Sequence, residues 1–243
     1  MMYRLGLFLN LLVIVLIATN GINSESSCDE DNKDVSSNCA APLNKNLGAI
    51  PPLDYHPVVL LPTNNTVLLD LTKPPISPSP LWSIGKYDED RVIYDQPLFG
   101  GKRTIHVGID LGGPAHTAVH AFWDGHVIEA GINPAKGDYG PVIVTEHLLQ
   151  EANNNSATIY ALFGVLSKPS LDLSPVGRSF KRGDVLAWLG TEEENGGWPP
   201  HVHFQLSWER PKTHDLPGAV SKEDREDALK LYPDPRSILG NIY

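Results

Sequence analysis

Histidine and aspartate side chains at two places in the sequence have the spacing of a metal site. His106 and Asp110 lie four residues apart, at the end of a predicted strand and in the turn after it. His201 and His203 begin a later predicted strand, and since side chains alternate along a strand, both imidazoles project from one face. Two imidazole nitrogens and one carboxylate oxygen, with a fourth position open, form the ligand pattern of catalytic zinc. His106, Asp110 and His203 can supply these three ligands.

The His-x-His pair alone does not establish a metal site. Such a pair occurs often by chance, and it is the pairing with His106 and Asp110 that favours a site. Calcium would need more oxygen ligands, and thiolate-binding metals would need cysteine. We expect four further histidines to be structural or surface residues: His116, His120, His126 and His147. Two of them, His120 and His126, are outside candidates for the site, and His56 and His214 carry no pattern.

Short apolar runs separated by glycine turns predict the elements that position these residues. Seven strands are expected: Thr104–Ile109, Ala118–Phe122, His126–Ala130, Pro141–Glu146, Thr158–Val165, Val185–Leu189 and His201–Trp208. Close spacing without helical periodicity favours a mainly β fold, an antiparallel sheet or sandwich. One short C-terminal helix is expected over Ser221–Leu231, where Ser221 and Asp224 have the spacing of a capping box.

The order of these motifs resembles that of the lysostaphin/LytM-type zinc metalloendopeptidases, which are peptidoglycan hydrolases with the duplicated hybrid motif fold. The resemblance covers residues 83–243 and rests on His106-x-x-x-Asp110, the Asp124-Gly125 and Gly183-Asp184 turns, and the stretch from Trp198 to Phe204. It implies Zn²⁺ as the cofactor, held by His106, Asp110 and His203. It also implies that His201 acts as the general base and that the substrate is a peptide, typically of peptidoglycan.

One position departs from that family's pattern. The family has a further histidine, thought to support the transition-state oxyanion, in a strand that matches Tyr160–Ser167 here, and Val165 stands in its place. Valine cannot donate a hydrogen bond, and the loss of one oxyanion donor costs on the order of 100- to 1000-fold in rate. His120 and Tyr160 are possible substitutes. The alternative function is therefore a catalytically impaired, zinc-containing module that binds peptide or peptidoglycan; a histidine phosphocarrier would leave Asp110 without a role.

Composition and charge narrow the choice of partner. The 243 residues include 19 Lys+Arg and 29 Asp+Glu, which gives a formal net charge of −10. This acidic balance argues against nucleic acid, because phosphate binding needs an excess of Lys and Arg. No exposed apolar repeat or heptad pattern is present, so a monomer is expected.

The N-terminal part of the sequence predicts secretion. Residues 1–21 combine a basic start with a short apolar run, which is typical of a cleavable signal peptide and too short for a membrane span. Residues 22–82 are expected to form an acidic tail and proline-rich linker, whose short apolar pieces can pack along the surface of a peptidase domain over 83–243. In an oxidising compartment Cys28 and Cys39 are expected to form a disulfide, and Asn64 and Asn154 are candidate glycosylation sites.

Overall fold

The computed structural model describes residues 49–150 and 156–243 of the chain. The predicted signal peptide, Cys28, Cys39 and Asn154 lie outside these residues. Within them, thirteen strands follow in chain order: β1 Val67–Leu68, β2 Ser83–Gly85, β3 Glu89–Asp90, β4 Arg103–His106, β5 Ile109–Gly112, β6 Ala118–His120, β7 Gly125–Asn133, β8 Gly140–Gln150, β9 Ser156–Gly164, β10 Ser179–Phe180, β11 Val185–Trp188, β12 His201–Ser207 and β13 Ala219–Ser221. Three short helices, α1 Pro169–Leu173, α2 Arg225–Leu231 and α3 Arg236–Leu239, and a 3₁₀ turn at Pro97–Phe99 complete the described elements.

One large sheet organises the domain. Its eight strands have the order β1-β2-β5-β12-β9-β8-β7-β10, and every neighbouring pair is antiparallel except β1 with β2. Two small antiparallel sheets, β11-β6 and β13-β4-β3, accompany it. The predicted mainly β, antiparallel fold with a short C-terminal helix is confirmed.

The large sheet is buried on both faces. Successive residues of β9 divide between two apolar clusters, with Ala161 and Phe163 in one and Leu162 in the other. This division follows from the alternation of side chains along a strand. The first cluster also includes Phe204 of β12 and Val119 of β6, so it joins the large sheet to one of the small ones.

The predicted strand Thr104–Ile109 is wrong in one respect, because the chain leaves one sheet for another in its middle. β4 ends at His106 and β5 begins at Ile109, and the two pair with different partners. Gly108 lies at this crossing, and a Cβ atom there would be 2.5 Å from Cε1 of His203. Asp110 consequently lies within a strand rather than in a turn.

The predicted helix over Ser221–Leu231 begins later than expected. Ser221 ends β13, and α2 starts at Arg225. The hydroxyl of Ser221 still accepts a hydrogen bond from the backbone N–H of Asp224 at 3.1 Å and donates one to its carboxylate at 2.7 Å. The capping residues therefore form a turn that leads into the helix.

The described part of the segment before residue 83 packs against the sheets. Val58 is completely buried and Val59 is 4% exposed, and both belong to the larger apolar cluster. The backbone N–H of His120 donates to the carbonyl of Val58 at 2.8 Å. In the described part of the chain, no helix has the length and apolar character needed to cross a membrane.

Candidate metal centre

Two adjacent strands and the end of a third bring the predicted ligands together. Asp110 on β5 and His203 on β12 are directly paired in the sheet register. His106, the last residue of β4, reaches the same point from the neighbouring small sheet, because the chain crosses between the sheets at Gly108. His106 is completely buried and His203 is 4% exposed.

Three ligand atoms converge at this point. Nε2 of His106 lies 3.0 Å from Nδ1 of His203 and 3.2 Å from Oδ1 of Asp110. Nδ1 of His203 lies 3.1 Å from the same carboxylate oxygen. Among the described residues this is the one group of three or more His, Cys, Asp and Glu side chains with the arrangement of a metal site.

The hydrogen bonds on the far side of each imidazole determine which nitrogen carries the proton. Nδ1 of His106 lies 2.8 Å from the carbonyl oxygen of Lys86, which can only accept, so this nitrogen is the donor. Nε2 of His203 lies 3.0 Å from the amide oxygen of Gln205, whose own nitrogen donates to the carbonyl of Pro217. In the neutral rings, the nitrogens that face each other therefore both present lone pairs.

The converging lone pairs fit a zinc ion. Two nitrogen lone pairs and a carboxylate oxygen this close together repel one another unless a cation lies between them. Ligands at 2.0 to 2.1 Å in a tetrahedral site are about 3.3 Å apart, close to the distances found here. Hydrogen bonds that fix the outer ring nitrogens are typical of metal-binding histidines. The residues present therefore suit Zn²⁺ with one position open.

A buried arginine supports Asp110 from behind. Nη1 of Arg91 donates to Oδ2 of Asp110 at 2.6 Å, and Nε donates to Glu89 at 3.1 Å. Burial alone would raise the pKa of Asp110, but His106 and Arg91 hold it well below its ordinary value. Burial, followed by the charge of Arg91, lowers the pKa of His106 to about 4. A carboxylate and a neutral imidazole are the protonation states that bind metal.

His201 faces the centre from the same side of β12 as His203. Its Nδ1 lies 2.7 Å from the carbonyl oxygen of Pro199 and so carries the proton. Its Nε2 is left with a lone pair, 3.8 Å from Oδ1 of Asp110. Burial lowers the pKa of His201, so the ring is neutral at neutral pH and able to accept a proton.

The centre opens into a cleft of about 810 Å³. Asp110, His201 and His203 lie along it, together with apolar side chains from distant parts of the chain. Tyr139 packs its ring against His203, with the ring centres 5.1 Å apart. A molecule that enters this cleft therefore meets the centre within a mostly apolar environment.

The family comparison agrees with this arrangement. The sequence profile of peptidase family M23 matches residues 104–215. This segment contains His106, Asp110, His201 and His203. This segment belongs to peptidase family M23. The expected family is thereby confirmed, and residues 104–215 are called the M23 segment below.

Several solved structures are similar to the chain. A zinc-containing peptidase from Vibrio cholerae is 27% identical over 50% of this chain and 32% of its own length, with a TM-score of 0.37. The catalytic domain of the antimicrobial peptidase lysostaphin from Staphylococcus simulans is 18% identical over 58% of this chain and 90% of its own, also with a TM-score of 0.37. A variant catalytic domain of the prophage-encoded M23 protein EnpA from Enterococcus faecalis is 19% identical over 61% and 92%, with the same TM-score. No curated protein matches the chain.

Within the M23 segment, Val165 lies on the cleft that contains the histidines. It follows directly after Gly164, which pairs with His203 in the sheet. Its backbone φ is 65°, a conformation that is a rare outlier for a β-branched residue. The site therefore has an apolar side chain where the family resemblance leads us to expect a hydrogen-bond donor.

The two substitutes considered for that donor lie elsewhere. Nδ1 of His120 donates to the carbonyl of Gly183, and its ring packs near His56. Tyr160 interacts with Glu146 and Arg210. Neither side chain lines the cleft. Both suggestions are therefore wrong, because these side chains lie away from the converging ligands.

Sequence reasoning missed three residues that support the centre. Gln205 lies two residues after His203, so the alternation that placed His201 and His203 on one face could have found it. Arg91 and Tyr94 carried no such signal. Tyr94 accepts a hydrogen bond from Nη1 of Arg91 at 3.0 Å and lines the cleft, yet both residues precede the M23 segment.

Proposed function

We propose that the protein is a secreted, zinc-dependent endopeptidase that hydrolyses an amide bond in a short, extended peptide, of the kind found in peptidoglycan. The observation that carries the proposal is the convergence of three lone pairs, from His106, Asp110 and His203, on one point. The neutral Nε2 of His201 faces the same point. Family M23 supports a metallopeptidase, and the −10 charge of the chain gives no support for nucleic acid as a substrate.

Each residue has a distinct role in this proposal. Zinc held by the three ligands supplies Lewis-acid polarisation of the peptide carbonyl and lowers the pKa of water toward neutrality. His201 accepts the proton of the attacking water at Nε2 and returns it to the departing amine. Pro199 keeps the His201 ring in the required tautomer, because its carbonyl accepts the Nδ1 proton. Arg91 keeps Asp110 ionised and fixes the carboxylate orientation.

The features outside the described residues, together with Asn64, complete the proposal. Residues 1–21 direct the chain into the secretory pathway, and Cys28 and Cys39 form a disulfide there. Asn64 lies in an exposed position, as a glycosylation site must, and Asn154 is the second candidate. We also propose that the secreted protein is a monomer, with the peptidase domain beginning near residue 83.

A second candidate function follows from Val165. With valine on the cleft in place of an oxyanion donor, the centre could bind peptide or peptidoglycan through zinc without turning it over. Binding without turnover needs the same three ligands but has no use for a base at His201. The two candidates therefore differ in what His201 does.

Mass spectrometry of purified peptidoglycan tests the first candidate. We expect zinc-loaded protein to release new fragments, and the zinc-loaded His201→Ala variant to release none. A His120→Ala variant, altered outside the cleft, should behave as the unchanged protein does. Absence of fragments from all three proteins, with zinc confirmed in each, would contradict an activity on peptidoglycan and favour the binding module.

The Val165→His variant then separates slow turnover from none. Histidine tolerates the left-handed backbone at this position better than a β-branched residue does, so the replacement suits the local conformation. If a missing donor limits the reaction, the rate should rise by on the order of 100-fold. An unchanged rate would show that another group already stabilises the oxyanion.

A further inference from the structure

The proline-rich segment before residue 83 forms one wall of the cleft. Apart from Ser79, the residues of this wall are apolar or proline: Leu69, Leu71, Pro75, Ile76, Pro80 and Leu81. Ile76 is 63% exposed and Leu81 is 64% exposed. Large exposed apolar side chains that share one cleft are typical of a binding surface. This segment was expected to be a linker, so its contribution to the cleft has no counterpart in the sequence motifs.

Hydrogen bonds anchor this wall to the metal centre. The backbone N–H of Leu71 donates to Oε1 of Glu89 at 3.2 Å, and the N–H of Val92 donates to the carbonyl of Leu71 at 3.0 Å. Glu89 accepts from Arg91, which in turn donates to Asp110. A continuous chain of hydrogen bonds thus connects the wall to a proposed zinc ligand. These hydrogen bonds hold the wall at Leu71 against the residues that support the centre.

A second apolar group lines the same cleft. Leu98 is 37% exposed, and the neighbouring Phe99 stacks on Tyr94 with ring centres 4.4 Å apart. Tyr94 in turn lies against Trp198, with ring centres 6.3 Å apart. Only two prolines separate Trp198 from His201, the first residue of β12, so this apolar group lies next in the chain to the strand that carries His201 and His203. The cleft thus presents apolar surface beside the centre.

The charged groups on the cleft disfavour anionic ligands. Arg91 is already paired with Asp110, while Arg103 donates to the carbonyl of Leu98 and covers the ring of Phe99. Three further acidic residues line the cleft: Asp138, Glu192 and Asp215. No described lysine lines it. A peptide rich in carboxylates would meet more acidic than basic side chains there, because Arg103 is the one arginine on the described cleft without an ion pair.

We infer that the substrate is a peptide with a bulky apolar side chain next to the cleaved amide and without net negative charge. The inference rests on the proposed zinc-dependent peptidase activity and departs from peptidoglycan as its best substrate. Peptidoglycan peptides consist mainly of glycine, alanine, glutamate and diamino acids, so we expect them to be cleaved more slowly than apolar peptides. Leucine, isoleucine or phenylalanine fills the space between the wall and the Leu98 group. Glycine or alanine leaves it empty, and glutamate meets acidic groups. Apolar pockets discriminate side chains of different size by about 10-fold or more in kcat/KM.

Quenched fluorescent hexapeptides test this preference directly. They differ only in the central pair, which is Leu-Leu, Phe-Phe, Gly-Gly, Ala-Ala or Glu-Glu. We expect the zinc-loaded protein to cleave the Leu-Leu and Phe-Phe peptides with kcat/KM at least about 10-fold above the others. Equal or faster cleavage of the Gly-Gly, Ala-Ala or Glu-Glu peptide would overturn the inference and leave the proposed function intact.

Substitutions of residues that line the cleft test whether the cleft causes the preference for apolar peptides. Ile76→Asp and Leu98→Asp place a charge on the apolar surface at exposed positions, so folding should be preserved. Each should lower kcat/KM for the Leu-Leu peptide by about 10-fold without loss of zinc. Val176→Asp is the matched control, because Val176 is 59% exposed and lies outside the cleft. The same loss in the control, or none in the wall variants, would refute the assignment.

Peptide binding separates this inference from the proposed function. The zinc-loaded His201→Ala variant retains the cleft and lacks the base, so the same peptides can be followed intact by fluorescence anisotropy. Tighter binding of the Leu-Leu and Phe-Phe peptides supports the apolar cleft even if the unchanged protein cleaves nothing. Equal affinity for all five peptides would overturn the inference whatever the activity.

Discussion

Two buried histidines of the same sheet show how similar burial can serve different purposes. His147 on β8 is completely buried and His203 on β12 is 4% exposed. Nδ1 of His147 donates to the carbonyl of Asp124 at 3.1 Å, and its Nε2 accepts from the hydroxyl of Thr145 at 2.7 Å. His203 has one nitrogen held by Gln205, and its other nitrogen faces His106 and Asp110.

The difference lies in the second ring nitrogen. Both nitrogens of His147 are satisfied by groups of the protein, so this ring needs nothing further and acts as part of the core. The inner nitrogen of His203 instead faces another lone pair and a carboxylate. Burial therefore does not distinguish a structural histidine from a ligand, whereas the full set of its hydrogen bonds does.

Removal of each histidine gives the strongest contrast. His203→Ala takes away one of the three proposed ligands and should lower zinc affinity by more than the 10- to 100-fold typical of supporting residues. His147→Gln should leave zinc affinity unchanged. Competition with a chromophoric chelator measures both, and circular dichroism checks folding. Asp110→Asn is a second ligand variant, and an equal loss in His147→Gln would remove the distinction.

Substitutions of His201 and His203, which lie on the same face of β12, should also differ in their effects on zinc affinity and on kcat. His201→Ala removes the proposed base but no ligand, so zinc affinity should stay constant while kcat falls by about 100- to 10,000-fold. Steady-state kinetics on a cleaved peptide, together with the chelator assay, gives both values. Loss of zinc from this variant would instead make His201 a ligand.

Substitutions of Gln205 test whether the hydrogen bond to Nε2 of His203 contributes to zinc affinity. Gln205→Leu leaves the Nε2 proton of His203 without an acceptor and frees the ring to turn, so zinc affinity should fall by about 10- to 100-fold. Gln205→Glu keeps an acceptor in place and should restore most of the affinity. If both variants bind zinc as the unchanged protein does, the orientation of His203 depends on packing alone.

His147 should contribute to the pH dependence of the free energy of unfolding. Burial lowers the pKa of His147 from 6.5 to about 3. Between these values the unfolded chain holds the proton and the folded chain does not, so the free energy of unfolding falls as the pH falls. This one group contributes a slope of about 1.4 kcal/mol per pH unit. When the metal-free His147→Gln variant is unfolded with urea between pH 6 and pH 4, its free energy of unfolding should fall less steeply with pH by this amount. A slope equal to that of the unchanged protein would contradict the prediction.

Some of this arrangement could be predicted from the sequence, because it depends on local periodicity. Alternation along β12 places His201 and His203 on one face, and short runs between glycines indicate an antiparallel β fold. The crossing between sheets after His106 could not be predicted, since Gly108 is needed there for the ring of a residue nearly a hundred positions away. Arg91 and the wall at Ile76 depend on contacts between distant segments, which no local pattern encodes.

The residues that hold Asp110 and His106 in place also determine which part of this protein can be transferred to a chimera. Residues 104–215 match the family profile, yet Lys86, Glu89 and Arg91, which hold His106 and Asp110 from behind, all precede them. A chimera that transplants only the matched segment would carry all three ligands but not the groups that orient two of them. The smallest transferable unit therefore begins at or before Lys86, and a unit that starts at residue 104 is expected to bind metal more weakly although it carries every proposed ligand.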